Sequence, residues 1–578
     1  SNEGIIEPLW GDYYEMHLLF GWGGNPIFSG NHQQYIDDAS FAPEMSKLKP
    51  RYIRVSSGRF ENPPDTSFFS ENSAVLKNLW TEFYHGGNSL QSAQDLTNYD
   101  FTYMDSLVRV VQSTGASPFM EMAYMPFALS SDTIANYIGT VPFTHLYSWD
   151  NSIRNSPPAD VEVYALVIYH LIRHLNFNFG VEYFELWNEP DQFPLNTFFW
   201  KGNAQQLYDM YEAVVRKIEE DSELRSNVKI GCCGFALNSS LQLFPINFLT
   251  NVQVNKTRMD FISFHPYSAT ELGGYDNTKV ELVKQWRDKY APEAELINSE
   301  WGILSSSFGS KGWNDLDYGL EKTKAIIDMN YHGIRMAHQA TLADINVTSS
   351  TCCLGLFYVD PEFSPKQSAF VNTNLNKLKS TTNRLDLEIT NGNYAIAGKN
   401  LSGDTIVVVF PATDPLNDKH NVSITVDNLP WTEGSATRYE LTESSYANNV
   451  LLNATSTSTI SNSSFNESFD FLSDQNSGRL ILWELINGNT VNVNSINKKK
   501  NLVIYPNPAN GILNIKIENL VSDFDLKITD VLGRQIYSQS FLATSNFEQQ
   551  ISLNNNGIFY ISLVTKDQII TKKIENWH

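Results

Sequence analysis

Long apolar runs are missing from this 578-residue chain. No segment approaches the roughly 20 consecutive apolar residues that a bilayer-crossing helix needs, so no transmembrane segment is expected. Basic residues are scarce beside acidic ones: 41 Lys and Arg face 64 Asp and Glu, for a formal net charge of −23. A chain this acidic repels phosphate backbones, and nucleic acid is not an expected partner. Cysteine is rare, and its four copies fall in two adjacent pairs, Cys232–Cys233 and Cys352–Cys353. Zinc sites use ligands set apart along the chain, which adjacent pairs do not provide, so no metal site and no cofactor are expected. Buried inert thiols, or a disulfide within or between the pairs, are the readings left.

Aromatic residues, by contrast, make up 13% of the chain, with 12 Trp, 27 Tyr and 34 Phe. Most belong in a large core, but ring faces also stack on the apolar face of a sugar. Between residue 14 and about 380, short apolar runs alternate with amphipathic helical ones. The strand candidates are Met16–Gly21, Tyr52–Ser56, Pro118–Met122, Glu182–Trp187, Val228–Cys232, Phe261–His265, Glu295–Ser299 and Ile334–Gln339. Helical runs between them include Val161–Leu175, Leu207–Glu220, Val280–Tyr290 and Gly319–Asn330. Strands that alternate with helices argue for a parallel sheet with crossover helices, and eight such units argue for a (β/α)8 barrel. Residues 1–384 are assigned to it. Over residues 385–486 the pattern changes to short alternating strands (YAIAG, TIVVVF, VSITV, RLILWEL) between Asn, Ser, Asp and Gly turns, which reads as a β-sandwich. The N-terminal residues are candidates to contribute to it. Residues 487–500 are polar and Asn-rich, as a linker is, and residues 501–578 form a small C-terminal β unit.

Two stretches carry chemistry. In Phe184-Glu185-Leu186-Trp187-Asn188-Glu189-Pro190-Asp191 an apolar strand ends on Asn-Glu-Pro. Strand C-terminal ends open into the active site of a barrel, so Glu189 is expected in the cleft. Pro190 stops the strand, and the Asn188 amide can donate to a sugar hydroxyl. In Ala294-Glu295-Leu296-Ile297-Asn298-Ser299-Glu300-Trp301-Gly302 a second apolar strand ends on Glu300. By strand count Glu189 closes the fourth strand and Glu300 the seventh. Two carboxylates at one face of a barrel suit glycoside hydrolysis: one protonates the leaving oxygen while the other attacks the anomeric carbon. Arg54, at the second strand, is expected to orient Glu300 and keep it ionised. His265 and Tyr267, at the sixth strand, are expected to touch the nucleophile or a sugar hydroxyl. Tyr124, Trp22, Trp301 and Trp313 are candidate stacking platforms.

These residues resemble a known group. FELWNEPD followed by NSEWG is similar to glycoside hydrolase clan A, and GASPFMEMAYMPFALS, DFISFHPYS and the following sandwich resemble its family 39, which contains β-xylosidases and α-L-iduronidases. The resemblance covers about residues 14–485. It implies a retaining mechanism with Glu189 as acid/base and Glu300 as nucleophile, and a saccharide as partner. The chain departs from that pattern in two places. It reads GCCGFA where the family usually has a Gly-Gly-Pro type turn, and Ser56 stands where family xylosidases usually carry a His. The nearest implied activity is that of an exo-acting β-xylosidase on plant or algal polysaccharide fragments. A galactose or anhydrogalactose unit of marine galactans, a uronic acid, and a non-catalytic carbohydrate-binding barrel are the alternatives. YPNPANGILNI, DVLGR and NGIFYISL resemble the C-terminal sorting domain of the Bacteroidetes type IX secretion system. That implies export across the outer membrane, with the secretion machinery as partner of residues 501–578.

Overall fold

The structure is a computed structural model. It describes residues 2–5, 15–17, 41–48, 50–56, 83–132, 155–191, 199–237, 242–267, 276–302, 316–339, 343–344, 357–358, 364–365, 374–375, 377–378, 381, 383–389, 394–412, 420–442, 452–471, 478–488, 501–505, 511–518, 524–530, 534–541, 546–553, 555–565 and 569–576. The chain divides into two compact units, Ser1–Asn487 and Gly488–His578.

After a short strand β1 (Asn2–Ile5), eight strands close into a barrel: β2 (Glu15–His17), β3 (Tyr52–Ser56), β4 (Ser117–Glu121), β5 (Tyr183–Leu186), β6 (Lys229–Phe235), β7 (Phe261–Phe264), β8 (Glu295–Trp301) and β9 (Ile334–Gln339). All pairings are parallel, and β2 meets β9 to close the ring. The crossover helices carry their own stop and start signals. Helix Val161–Phe179 begins where the Asp160 carboxylate accepts from the N–H of Glu162 and Val163, and ends at Gly180, whose φ of 68° admits the left-handed turn. Helix Ala204–Glu220 opens with a reciprocal Asn203/Gln206 capping box.

Alternation along the strands sorts the barrel. One set of side chains (Ile53, Met120, Phe184, Ile230, Ile262 and Leu296) joins the main core cluster, which also takes in the apolar faces of the helices. The intervening set, Tyr52, Phe119, Tyr183, Phe261, Ile297 and Met336, forms a separate buried cluster inside the barrel. The rings pack at ordinary aromatic distances, with Phe119–Tyr183 centroids 5.8 Å apart and Phe119–Phe261 5.6 Å. Gly231 belongs to the same layer, and a methyl group there would collide with the Phe261 ring.

Beyond the barrel, a seven-stranded sheet takes strands from residues 383–487 together with β1, which pairs antiparallel with Asn383–Leu385. A two-stranded sheet, His420–Val426 with Phe465–Phe471, accompanies it. They share a core around Trp431, Phe465, Ile481 and Trp483. Helix Leu316–Tyr331 contacts the large sheet through Thr405–Ala412 and Arg479–Asn487. The second unit has a three-stranded and a four-stranded antiparallel sheet around Leu513, Ile515, Leu526, Ile528, Ile561 and Leu563.

Candidate active site

Two residues further along the strands from the aromatic layer, the side chains turn polar: Arg54 on β3, Glu121 on β4, Glu185 on β5, Ser263 on β7 and Ser299 on β8, all buried. Arg54 is the hub. Its Nε donates to Glu185 Oε2 at 2.7 Å and its Nη2 to Asn188 Oδ1 at 2.8 Å. Glu121 and Glu300 stand 3.7 and 3.6 Å from the same guanidinium. Burial alone would lower the Arg54 pKa, but the three surrounding carboxylates hold it above its ordinary value. A planar fork of donors suits this division among several acceptors.

Glu189 lies just past the end of β5 on an unusual backbone. Trp187 and Glu189 have φ of 79° and 46°, a region that non-glycine residues seldom occupy. The surroundings over-determine this conformation. Trp187 is fully buried, donates its Nε1 to Phe199 O at 3.1 Å, and sits edge-on to Trp200 at 4.7 Å. The Glu189 N–H reaches the carbonyls of Cys233 and Gly234, both at 3.1 Å. Gly234, with φ 58°, lies where a Cβ would press on His265 Nε2 and Asn188 Oδ1.

His265 links the two glutamates. Its Nδ1 is 2.7 Å from Glu189 Oε1 and 3.8 Å from Glu300 Oε2, so those two oxygens are no more than about 6.5 Å apart. Its Nε2 meets Ser299 Oγ at 3.2 Å. The Tyr267 hydroxyl donates to Glu300 Oε1 at 3.2 Å. Burial pushes the His265 pKa down to about 4, so the ring is neutral at pH 7. Burial pushes both carboxyls up, Glu189 to about 8 and Glu300 to about 7. Arg54 opposes the shift in both. Two buried carboxyls this close titrate as a pair, which holds one proton between its two steps.

The structure thus brings together Glu189, Glu300, Arg54, Asn188, His265 and Tyr267. Arg54 makes its short contacts with Glu185 and Asn188 rather than with Glu300. The Asn188 amide, expected to face a sugar, donates to the Tyr124 hydroxyl at 3.3 Å. Tyr124 packs edge-on to Trp187 and parallel to Phe199. Trp301 is 1% exposed and belongs to the main core cluster. Trp22 and Trp313 lie outside the described residues, as do Cys352 and Cys353. Cys232 and Cys233 are joined to each other by a disulfide. No grouping of His, Cys, Asp and Glu able to hold a metal occurs among the described residues, and no described helix is long and apolar enough to cross a membrane. Sequence reasoning passed over Glu121, Glu185, Asp191 and Ser299. A carboxylate inside an apolar strand was the available signal for the first two.

Comparison with known proteins agrees with this architecture. Residues 88–292 match the model of glycosyl hydrolases family 39, a span that includes Glu189 and stops short of Glu300. Residues 503–575 match the secretion system C-terminal sorting domain. A β-xylosidase of Caldicellulosiruptor saccharolyticus is 30% identical over 215 residues, 36% of this chain and 39% of that protein. One from Geobacillus stearothermophilus is 26% identical over 177 residues, 30% of this chain and 31% of that protein. The chain therefore spans well under half the length of these curated relatives. Among solved structures, a glucosidase from Croceicoccus marinus superposes with a TM-score of 0.56 at 17% identity, covering 84% of this chain and 97% of that one. The GH39 enzyme from Xanthomonas axonopodis pv. citri does so with 0.55 at 14%, covering 84% and 96%. At those identities the likeness is one of fold. The eight-stranded barrel is thus accompanied by a match to glycosyl hydrolases family 39 over residues 88–292 and by one to the secretion system C-terminal sorting domain over residues 503–575.

Proposed function

We propose that this protein is an exported retaining glycoside hydrolase of plant or algal polysaccharide fragments, exo-acting and β-xylosidase-like, with Glu189 as acid/base and Glu300 as nucleophile. One observation carries the reading: both carboxylates reach the same ring nitrogen of His265, with Arg54 beside Glu300. Retaining enzymes hold their carboxyl groups about 5–5.5 Å apart and inverting ones about 6.5–9.5 Å. The contacts through His265 favour the first class. In the first step ionised Glu300 bonds to the anomeric carbon while protonated Glu189 gives its proton to the departing glycosidic oxygen. In the second, Glu189 takes a proton from water as that water displaces Glu300. Tyr267 and Arg54 stabilise the Glu300 charge when it is free. The names of the curated relatives support xylose as the sugar, and the sorting domain supports export.

The test is a panel of nitrophenyl glycosides and algal oligosaccharides, with the first-formed anomer read by proton NMR. Cleavage of the β-xyloside with β-xylose appearing first is expected. First appearance of the α-anomer would contradict retention, and no turnover across the panel would contradict the enzymatic reading.

A further inference from the structure

The loop that carries Glu189 does not end at Pro190. Asp191 follows, 5% exposed, and its carboxylate accepts from two successive backbone N–H groups, Ala236 at 2.8 Å and Leu237 at 3.0 Å. These belong to the turn after β6, and the end of β6 that leads into it in exchange receives the Glu189 N–H on the carbonyls of Cys233 and Gly234. Loop and turn are therefore tied in both directions across residues 189–191. The same strand end also fixes the partner of Glu189. The His265 N–H donates to Phe235 O at 2.8 Å, and the Gly234 N–H donates to Ser263 Oγ at 2.9 Å. Lys279 Nζ donates to Ala236 O at 3.1 Å. The end of β6 and the turn after it thus position the backbone of both members of the Glu189–His265 contact, and Asp191 is the charged group that anchors the turn to the glutamate's loop. Hydrogen bonds to an ionised acceptor are roughly twice as strong as neutral ones. Burial raises the Asp191 carboxyl to about 6 and the two N–H groups oppose the rise, so at neutral pH the group is ionised.

We infer that Asp191 is a positioning residue for proton transfer by Glu189, acting through the Ala236–Leu237 turn and not by contact with substrate. The inference rests on the acid/base role proposed for Glu189. It predicts a selective defect. A displacement of about 1 Å in a positioned catalytic group can cost about 10²-fold, and only reactions that need the proton should feel it.

The experiment compares kcat/KM of the full chain and of Asp191→Asn on aryl glycosides of graded leaving-group ability, from dinitrophenyl to methoxyphenyl, with Glu189→Gln alongside. For Asp191→Asn a loss of about 10²-fold is expected on the poor leaving group, with the dinitrophenyl substrate within about threefold of the unaltered chain. Equal losses on both substrates would make Asp191 a general structural residue and overturn the inference, as would no loss on either. If Glu189→Gln itself shows no leaving-group selectivity, the acid/base reading has failed. If it does and Asp191→Asn does not, only the positioning role has failed. Should Asp191→Asn not fold, as judged by circular dichroism, Asp191→Glu displaces the same anchor while keeping its charge. The same selective loss, smaller in size, is then expected, and a uniform or absent loss overturns the inference.

Discussion

The barrel interior holds two neighbouring layers of opposite character, separated by two residues along each strand. Tyr52, Phe119, Tyr183, Phe261 and Ile297 form an apolar layer; Arg54, Glu121, Glu185, Ser263 and Ser299 form the polar one. Both are buried. The first follows from packing and the hydrophobic effect, and its members could be exchanged for other rings of similar volume. The second replaces that stabilisation with a shared arginine and interlocked hydrogen bonds, in which an unpaired charge is costly. A fold can thus keep its stability in one layer and its chemistry in the next, because alternation lets one strand serve both.

Removing the hub of the polar layer should have the largest effect. Arg54→Leu leaves Glu121, Glu185 and Glu300 without their common cation. Breaking a buried pair this way costs about 3–5 kcal/mol. Both stability, read by denaturant unfolding, and turnover should collapse. Phe119→Ala, in the apolar layer of the adjacent strand, should cost a similar 3–5 kcal/mol or so, yet leave kcat/KM of the folded fraction within a few-fold. Loss of turnover equal to that of Arg54→Leu in folded Phe119→Ala would erase the distinction between the layers.

The pH dependence sharpens it next. With the roles proposed for the two glutamates, turnover needs Glu300 ionised and Glu189 protonated. With burial raising Glu300 to about 7 and Glu189 to about 8, kcat/KM should rise as pH increases through the first value and fall through the second. Glu189→Gln should abolish the alkaline limb. Limbs at ordinary carboxylate values, near 4 and 5, would show that the polar layer is not desolvated.

The smallest effect belongs to the second unit, which has its own core. Deleting residues 488–578 should leave turnover of a small aryl glycoside unchanged while abolishing export. A large loss in the soluble, folded truncation would make this unit part of the active one.

Much of the fold was legible because periodicity reports burial directly. Tyr52–Ser56 and Ile334–Gln339 have the same bounds in sequence and structure, and helix Val161–Phe179 runs past Leu175 to the first glycine that can cap it. The candidate site was legible where a carboxylate follows an apolar strand, as at Glu189. It was not legible inside the strands. Nothing local in FELW says that Glu185 is held by an arginine 131 residues away. Strict alternation also misleads at β8. Counted from Ile297 it places Ser299 inward and Glu300 outward, but the register with β9 shifts between Asn298 and Trp301, and Glu300 meets Arg54, His265 and Tyr267. That shift also accompanies the burial of Trp301, for which an open stacking face was expected.

The central claim is the division of roles between the two glutamates, and azide rescue tests it most directly. Glu189→Gln and Glu300→Gln are assayed on a dinitrophenyl glycoside, with and without azide, and the products are identified. The account predicts that Glu189→Gln keeps its first step on this leaving group and yields a glycosyl azide of retained configuration, because azide needs no general base. Glu300→Gln should yield no retained azide, since no covalent intermediate can form and azide could only displace the leaving group directly, with inversion. A retained glycosyl azide from Glu300→Gln and not from Glu189→Gln would reverse the roles, and near-normal activity in both variants would place the chemistry elsewhere.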